Sequence, residues 1–501
     1  MTLNIFYLSI YPLISEFFLL NVICFSLVFC AILSTSNVFK FPLLTNCMQF
    51  LFIQSLFFSF ILLINSSPIF IIFFNKLLIC DAFAFYSKII ILLFSIIWFW
   101  ISQPFLKILN FEFWILILLS ILSICLLIQA QDLLSIYVNI EFLSLSFYIL
   151  ASSNRNSEFS TEAGLKYFIL GAFSSALLLF GFTLMYSFTG LTNLQDLLIF
   201  FTGYSLNLSF TLNQGIFISI FFILTSFLFK LGSAPFHYWL PDVYEGSPTS
   251  VTAFFAILPK LAVLSLFLRF IFVTLGDCIY NEVYLFLLIA AILSSLVGTV
   301  GALLQTKWKR FIAFSSISHV GFFLLNFCSL NFDNLNNLFV YIIIYLFMTS
   351  SFFSFFSLIK FFKFPNFKNP RFLNSLNSLN LTNPTLAILF SIILFSFAGI
   401  PPLAGFFAKF FVLYSAIDTG LFFLTFFLLF LNCVSTFYYI NLIKKNYFNK
   451  IDSIYLPICV SNISVTNTIT LSVLIFILIL AITDLNFIFL FSNLMLSAFL
   501  N

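Results

Sequence analysis

The 501-residue chain is 62% hydrophobic and only 7% charged, where an ordinary soluble domain is about a quarter charged, and its mean hydropathy is +1.18. One aqueous core cannot hide that much apolar surface but a bilayer solvates it, so a water-soluble enzyme is excluded and the chain reads as an all-α polytopic membrane protein. Its 20 Lys and Arg against 16 Asp and Glu leave a net charge of +4, too small a surplus to indicate nucleic-acid binding. The nine cysteines are scattered through apolar runs without C-x-x-C, there are two histidines, and none of the fifteen glycines forms G-x-G. These features exclude a cysteine-held iron–sulfur cluster, a zinc site and a nucleotide fingerprint, so any redox centre served by the chain lies on other chains.

No short apolar stretch with a small-residue cleavage site opens the chain, and the first run, from about Pro12 to Ser34, reads as a retained spanning helix. Runs of about twenty apolar residues then predict about fourteen spans. They begin near Pro12, Met48, Asp81, Glu112, Asp132, Thr161, Gln214, Ser247, Asn281, Lys307, Leu335, Pro384, Gly420 and Thr466, with longer loops over 190–213 and 363–383. The basic residues orient them. One set of alternate connections holds Lys40, Lys107, Arg155, Lys307, Lys309, Arg310, Lys360, Lys363, Lys368, Arg371, Lys444, Lys445 and Lys450, and the other holds only Lys76. Because basic loops stay on the cytoplasmic or matrix side, both termini are expected on the outer face.

Six bases remain inside predicted spans. Lys166, about five residues into its helix, and Arg269, near the end of its own, can lift their charges to the headgroups along their stems; Lys88, about two turns beyond Asp81, fits the same structural reading. Lys230, Lys260 and Lys409 differ, since each has a long apolar run on at least one side and a helix-breaking proline within about two turns. Lys230 precedes LGSAP, where Pro235 frees carbonyls that an ammonium suits. Lys260 follows Pro259, and Lys409 follows FAGIPPLAGFF, in which Gly399, Pro401, Pro402 and Gly405 oppose a continuous helix. Interrupted helices at corresponding places in two halves point to a transport site within an inverted repeat.

Glu141 lies about nine residues, or roughly 14 Å, into its span, near the midplane, with Lys230 as its most attractive partner; a protonated Glu141 bonded to a neighbouring helix is the alternative. Glu16 is shallower and reads as an end-of-helix residue. His237, at the inner end of the first interrupted helix, and His319, with Ser315, Ser316 and Ser318 nearby, titrate near neutrality and suit either a proton relay or a hydrogen-bonded core.

The stretches LLSIYVNIEFLSLSFYILA, FSTEAGLKYFILGAFSSALLLFG, FKLGSAPFHYWLPDVYEGSPTSVTAFFAILPK, QTKWKRFIAFSSISHVGF and FSFAGIPPLAGFFAKFF, in that order over about residues 130–412, resemble the proton-pumping, antiporter-like membrane subunits of respiratory complex I. PDVYEG and GIPPLAGF resemble the chain 2 branch of that family more than its two related antiporter-like branches. The ends match only in hydropathy and length. The resemblance implies two inverted five-helix repeats with broken helices 7 and 12, divided as 1–110 (helices 1–3), 111–275 (helices 4–8), 276–450 (helices 9–13) and 451–501 (helix 14). It implies Glu141 on the fifth helix, Lys230 as its partner on the broken seventh, Lys260 at the centre of the eighth and Lys409 on the twelfth, with His237 and His319 in polar positions of a hydrated axis.

By the same resemblance, protons move from matrix to intermembrane space across the mitochondrial inner membrane, coupled to NADH oxidation and ubiquinone reduction. FMN, iron–sulfur clusters and ubiquinone are then expected on other subunits and no cofactor on this chain. Its expected partners are other membrane-arm subunits, including related antiporter-like chains, and lipids. A stand-alone cation/proton antiporter of related fold is the competing reading, and a purely structural anchor in which the central lysines are unused is a third.

Overall fold

The computed structural model describes residues 11–34, 44–105, 111–202, 210–328, 332–363, 366–368, 370–448, 457–458, 465–481 and 483–500. Of the loop bases, Lys40, Lys107 and Lys450 lie outside these residues, as does the N-terminal segment 1–10. The first half runs through α1 (Ile14–Ser34), α2 (Leu44–Asn65), α3 (Ala82–Ser102), α4 (Phe111–Gln129), α5 (Leu133–Ala151), α6 (Glu158–Thr189), the short α7 (Leu194–Thr202), α8 (Phe210–Leu231), α9 (Trp239–Gly246) and α10 (Thr249–Leu268). The second continues with α11 (Gly276–Leu303), α12 (Trp308–Phe327), α13 (Phe332–Leu358), the single turn α14 (Leu379–Thr382), α15 (Pro384–Ala398), α16 (Ala404–Asp418), α17 (Phe422–Phe448), α18 (Val465–Leu480) and α19 (Asn486–Leu500). Among the described residues twelve helices are long and apolar enough to cross a membrane, and α15, α18 and α19 are shorter apolar helices. The chain is an all-α, multi-pass membrane protein.

Local chemistry sets several boundaries. Asp81 caps α3 by accepting from the Ala84 N–H (2.8 Å), and Asp132 caps α5 through the Leu134 N–H (2.9 Å) with Ser135 completing a capping box. Pro384 opens α15, where its missing N–H costs nothing. Pro259 lies inside a continuous helix: α10 runs through it to Leu268 and ends in a π-helical stretch, Arg269–Thr274. Neighbouring helices enclose α10, which is the setting in which an intramembrane proline is tolerated.

The two predicted loops contain structure. At one end of the bundle β1 (Ile71–Phe73) and β2 (Leu78–Cys80) form an antiparallel hairpin. Lys76 in its turn pairs with Asp196 on α7 (2.9 Å), and Asn193 donates to the Lys76 carbonyl (2.9 Å). At the opposite end β3 (Lys360–Lys363) lies between β4 (Asn366–Lys368) and β5 (Pro457–Ile458).

Which helices are inside decides where a charge is costly. α10 and α13 have 94% of their apolar windows buried, while α1, α6 and α17 have 39%. α11 and α12 approach closely because Gly298 lies against the backbone of Ser318 and Gly321 against that of Ser295, leaving no room for a Cβ at either crossing.

Candidate functional site

Helix α8 stops at Leu231; Gly232 has φ +73°, and helical structure resumes only at Trp239. The carbonyls released here find neutral donors. The Phe229 oxygen accepts from the Trp239 indole N–H (2.9 Å) and the Leu228 oxygen from the Ser233 hydroxyl (3.0 Å). Lys230 therefore does not take the carbonyl-binding part expected of it. Its buried Nζ has no hydrogen-bond partner, and neither has the buried Oε1 of Glu141, whose Oε2 accepts weakly from Ser144 (3.4 Å). No ion pair joins Glu141 to Lys230, so the carboxylate acts on the ammonium only through its field. His237 is buried beside this break, its ring stacked on Tyr238 and its Nδ1 without a hydrogen-bond partner.

Lys260, on the enclosed α10, is 5% exposed. Its ammonium donates to the Tyr345 hydroxyl (2.7 Å) and more distantly to the Ser316 carbonyl (3.5 Å), and it sits 4.7 Å from the centre of the Tyr345 ring. His319, one turn beyond Ser316 on α12, exchanges a hydrogen bond through Nδ1 with the Tyr341 hydroxyl (2.8 Å), and its ring centre is 5.4 Å from that of Tyr345. Tyr341 and Tyr345 are one turn apart and so share a face of α13.

At the second interruption α15 ends at Ala398, Gly399 turns the chain with φ +78°, and α16 starts at Ala404. Here a lysine does satisfy the freed carbonyls. Lys409 donates to the oxygens of Phe397 (2.9 Å) and Ala398 (3.0 Å) and to Asn432 Oδ1 (2.6 Å). Gly399 admits this arrangement because a Cβ there would stand 2.9 Å from the Lys409 Cδ. A cavity of about 10 Å³, room for about one water, is lined by His319, Lys409, Asn432, Ser318, Tyr438 and Tyr439 among others, so His319 and the terminal lysine share one wall.

The other bases predicted within spans have different surroundings. Lys88 forms an ion pair with Glu16, both nearly inaccessible at 2% and 5% side-chain exposure. Arg269 pairs with Asp81 (2.9 Å) and donates through Nε to the Ile128 carbonyl (2.9 Å). Both bases turn inward to a carboxylate, and Glu16, which stands in the first turn of α1 as expected of an end-of-helix residue, is the partner of Lys88. Lys166 behaves as expected of a residue near a helix end, since it is half-exposed and bridges Glu162 (2.7 Å) and Asp242 (2.9 Å).

At that same end Glu245 binds Lys307, Arg310 and Arg371, and Lys309 donates to the Ser247 carbonyl (2.5 Å). Burial pushes the Glu245 carboxyl upward, but the Lys307 hydrogen bond and the charges of Arg310 and Lys307 outweigh it and hold the group below its ordinary value. The sequence reading does not find the partners Tyr345 of Lys260, Asn432 of Lys409 and Tyr341 of His319; the one signal is a pair of tyrosines spaced by four inside an apolar run. Among the described residues no group of three His, Cys, Asp or Glu side chains is placed to hold a metal.

The NADH:quinone oxidoreductase/Mrp antiporter transmembrane family matches residues 130–435. The chain is 40% identical over 448 residues to NADH-ubiquinone oxidoreductase chain 2 of Marchantia polymorpha, covering 88% of this chain and 89% of the relative. In fold it is similar to a chain of respiratory complex I from Thermus thermophilus, with a TM-score of 0.75, 25% identity and coverage of 93% and 97%. It is also similar to a chain of the Mrp complex from Dietzia sp., with a TM-score of 0.81, 17% identity and 98% coverage of both. The interrupted helices and Lys230, Lys260 and Lys409 all fall within the matched region, and the chain belongs to the NADH:quinone oxidoreductase/Mrp antiporter transmembrane family as a membrane-arm, antiporter-like subunit of respiratory complex I.

Proposed function

We propose that protons cross this chain along Glu141, Lys230, Lys260, His319 and Lys409, with His237 beside the first interruption. The chain translocates protons as a membrane-arm subunit, and the NADH and ubiquinone chemistry lies on other subunits. One observation carries the residue assignment: the ammonium groups of Lys230, Lys260 and Lys409 are buried in the bundle without an ion-pair partner among the described residues, and two of them, on Lys260 of α10 and Lys409 of α16, are held by neutral oxygens. A buried ammonium beside a carboxylate is locked as a pair, whereas one held by neutral oxygens has an accessible neutral form and can pass its proton on. A field from Glu141 would modulate Lys230 strongly if the two approached, by about 4 kcal/mol at 4 Å and an effective dielectric of about 20. Movement of that carboxylate toward or away from Lys230 is thus the switch we assign to the first half, and Lys260 and His319 form the bridge to the cavity at Lys409.

In the finer architecture we assign, fourteen spans contain two inverted five-helix repeats, 111–275 and 276–450, flanked by 1–110 and 451–501, with the two interruptions as broken helices 7 and 12. In the membrane, the mitochondrial inner membrane in this reading, the end carrying Lys307, Arg310 and Arg371 faces the matrix, the hairpin holding Lys76 faces the intermembrane space, and both termini lie on that outer side. The gathering of basic residues at one end supports this orientation. Other membrane-arm subunits and lipids surround the chain.

The test of the axis is Lys260→Ala in the assembled complex, with proton uptake per NADH oxidised measured in sealed vesicles and assembly checked on native gels. Pumping is expected to be lost; wild-type stoichiometry in an assembled variant would remove Lys260 from the path. Labelling a cysteine at position 155 with a membrane-impermeant reagent tests orientation, and labelling from the intermembrane side would reverse it.

A further inference from the structure

Lys260 faces an aromatic partner whose part in proton transfer follows from geometry and not from sequence position. The helices packed against α10 carry few titratable or charged groups that bear on it: Lys88 on α3, already paired with Glu16, Cys125 on α4, Lys230 on α8, His319 on α12, and Tyr341 and Tyr345 on α13. Arg269, just beyond α10, is paired with Asp81. Of these groups only Tyr345 is hydrogen-bonded to Lys260.

We propose that Tyr345 is the positioning residue of the central lysine: its hydroxyl and ring face hold the Lys260 proton at the junction leading to His319. The inference rests on the proton-path reading of Lys260 and adds to it a residue that reading does not require. Three observations converge. The phenolic oxygen accepts from the ammonium at 2.7 Å, and the cation stands 4.7 Å from the ring centre. Both contacts favour the charged form without contributing a negative charge. The same ring lies 5.4 Å from the His319 ring, and His319 is bonded to Tyr341 one turn away on α13. Tyr345 is 1% exposed and Tyr341 fully buried, so bulk water does not compete for these hydroxyls. Thr349, one turn further along α13, donates to the Tyr345 carbonyl (2.9 Å).

A carboxylate in this position would hold the proton as Glu16 holds that of Lys88, and an apolar side chain would leave the ammonium uncompensated. A phenol is intermediate. It supports the ammonium while leaving the lysine able to deprotonate, and as a hydrogen-bonding hydroxyl it keeps Nζ in one place for transfer. No bond of Tyr345 is broken in the process: the ammonium gives its proton to the imidazole of His319, leaving a neutral amine and an imidazolium, and the phenol ends unchanged.

Tyr345→Phe keeps the ring and removes the hydroxyl. In the assembled complex, with proton uptake per NADH oxidised followed across pH in sealed vesicles, the alkaline limb of pumping is expected to move to lower pH by about one unit, because a hydrogen bond to a charged group has been lost. Tyr345→Gln, which returns an acceptor oxygen, is expected to move the limb back towards the wild type. Tyr341→Phe, whose partner is His319, is expected to leave the alkaline limb in place.

A structural role alone would change the amount of assembled complex without displacing the profile. If Tyr345→Phe and the wild type give superimposable profiles while Lys260→Ala abolishes pumping, the assignment of Tyr345 is wrong and the path through Lys260 stands. If assembled Lys260→Ala pumps normally, the underlying path is wrong. Should Tyr345→Phe fail to assemble, Tyr345→Gln is compared with Tyr345→Met, and identical alkaline limbs in those two overturn the assignment.

Discussion

The paired and the unpaired bases of the bundle are buried in opposite ways. Lys88 and Arg269 each sit against a carboxylate, Glu16 and Asp81, inside the bundle. Lys260 and Lys409 are equally buried, yet they meet a tyrosine hydroxyl, an asparagine oxygen and backbone carbonyls. The difference separates charge that is structural from charge that can move. An ion pair compensates the cost of burial only while both members stay ionised, so a proton cannot leave it cheaply. Neutral oxygens solvate an ammonium without trapping it. Burial alone thus says little about function; the chemical type of the partner distinguishes the two regions.

The largest effect expected from breaking this contrast is in the paired region. Lys88→Ala leaves Glu16 buried and uncompensated, a cost of about 3–5 kcal/mol, and should remove the assembled complex from native gels. The double change Glu16→Leu with Lys88→Met removes both charges and should restore assembly with wild-type pumping. Loss of pumping in that assembled double variant would move the pair from the structural class to the functional one.

Lys409→Met is expected to act on both properties. It strands the oxygens of Phe397, Ala398 and Asn432, at about 1–3 kcal/mol for a buried polar group left unmade, and it removes a proton carrier. Less complex should assemble, and what assembles should not pump, as read by vesicle acidification normalised to complex content. Normal yield with normal pumping would show that the carbonyls at the second interruption find other partners and that the ammonium is not used.

Glu141→Gln should leave assembly unchanged, because the carboxylate has one weak hydrogen bond and no ion pair to lose. Coupled pumping and quinone reduction should fall, with Glu141→Asp retaining part of both. Lys230→Ala should show the same loss, and the double variant should be no worse than the more damaging single one, since groups acting as a unit are not additive. Proton uptake per NADH oxidised checks this; unchanged coupling in Glu141→Gln would make the carboxylate a hydrogen-bonding group only.

The smallest effect concerns Glu245, whose carboxyl is held below its ordinary value by Lys307, Arg310 and Arg371 against the pull of burial. A depressed carboxyl contributes stability that is fully present above the unfolded value of about 4.3 and is lost as pH falls through the lower folded value. Its partners are partly exposed, so the contribution is about 1 kcal/mol or less. The melting temperature of Glu245→Gln in detergent should therefore lie slightly below that of the wild type at pH 7, and the gap should narrow at acid pH. A gap that widened on acidification would contradict the sign.

Much of this was legible in the residues because a bilayer imposes simple rules. The all-α, multi-pass character follows from run length, and the central ionisable residues stand out against apolar surroundings. Glycine and proline mark the places where α8 and α15 stop. The reading failed where geometry between distant segments mattered. Local sequence marks Lys88 and Arg269 as structural without naming what compensates them, and their counter-charges come from 72 and 188 residues away, at Glu16 and Asp81. Lys230 was given the carbonyl-binding part that Trp239 and Ser233 fill, while Lys409 fills it at the second interruption.

The sequence by itself determined that this chain lives in a membrane, roughly where it crosses, and which ionisable residues the bilayer cannot easily accept. Those conclusions depend only on local hydropathy, helix length and the chemistry of glycine and proline. It could not say which spans are inside, because α6 and α10 are equally apolar while one is largely exposed and the other almost wholly enclosed. Nor could it say what each buried charge meets. Lipid and protein interior are similar solvents for an apolar side chain, so hydropathy is blind to the distinction, and only the packing of the helices decided that Glu16 closes on Lys88 whereas Lys260 is left with a tyrosine.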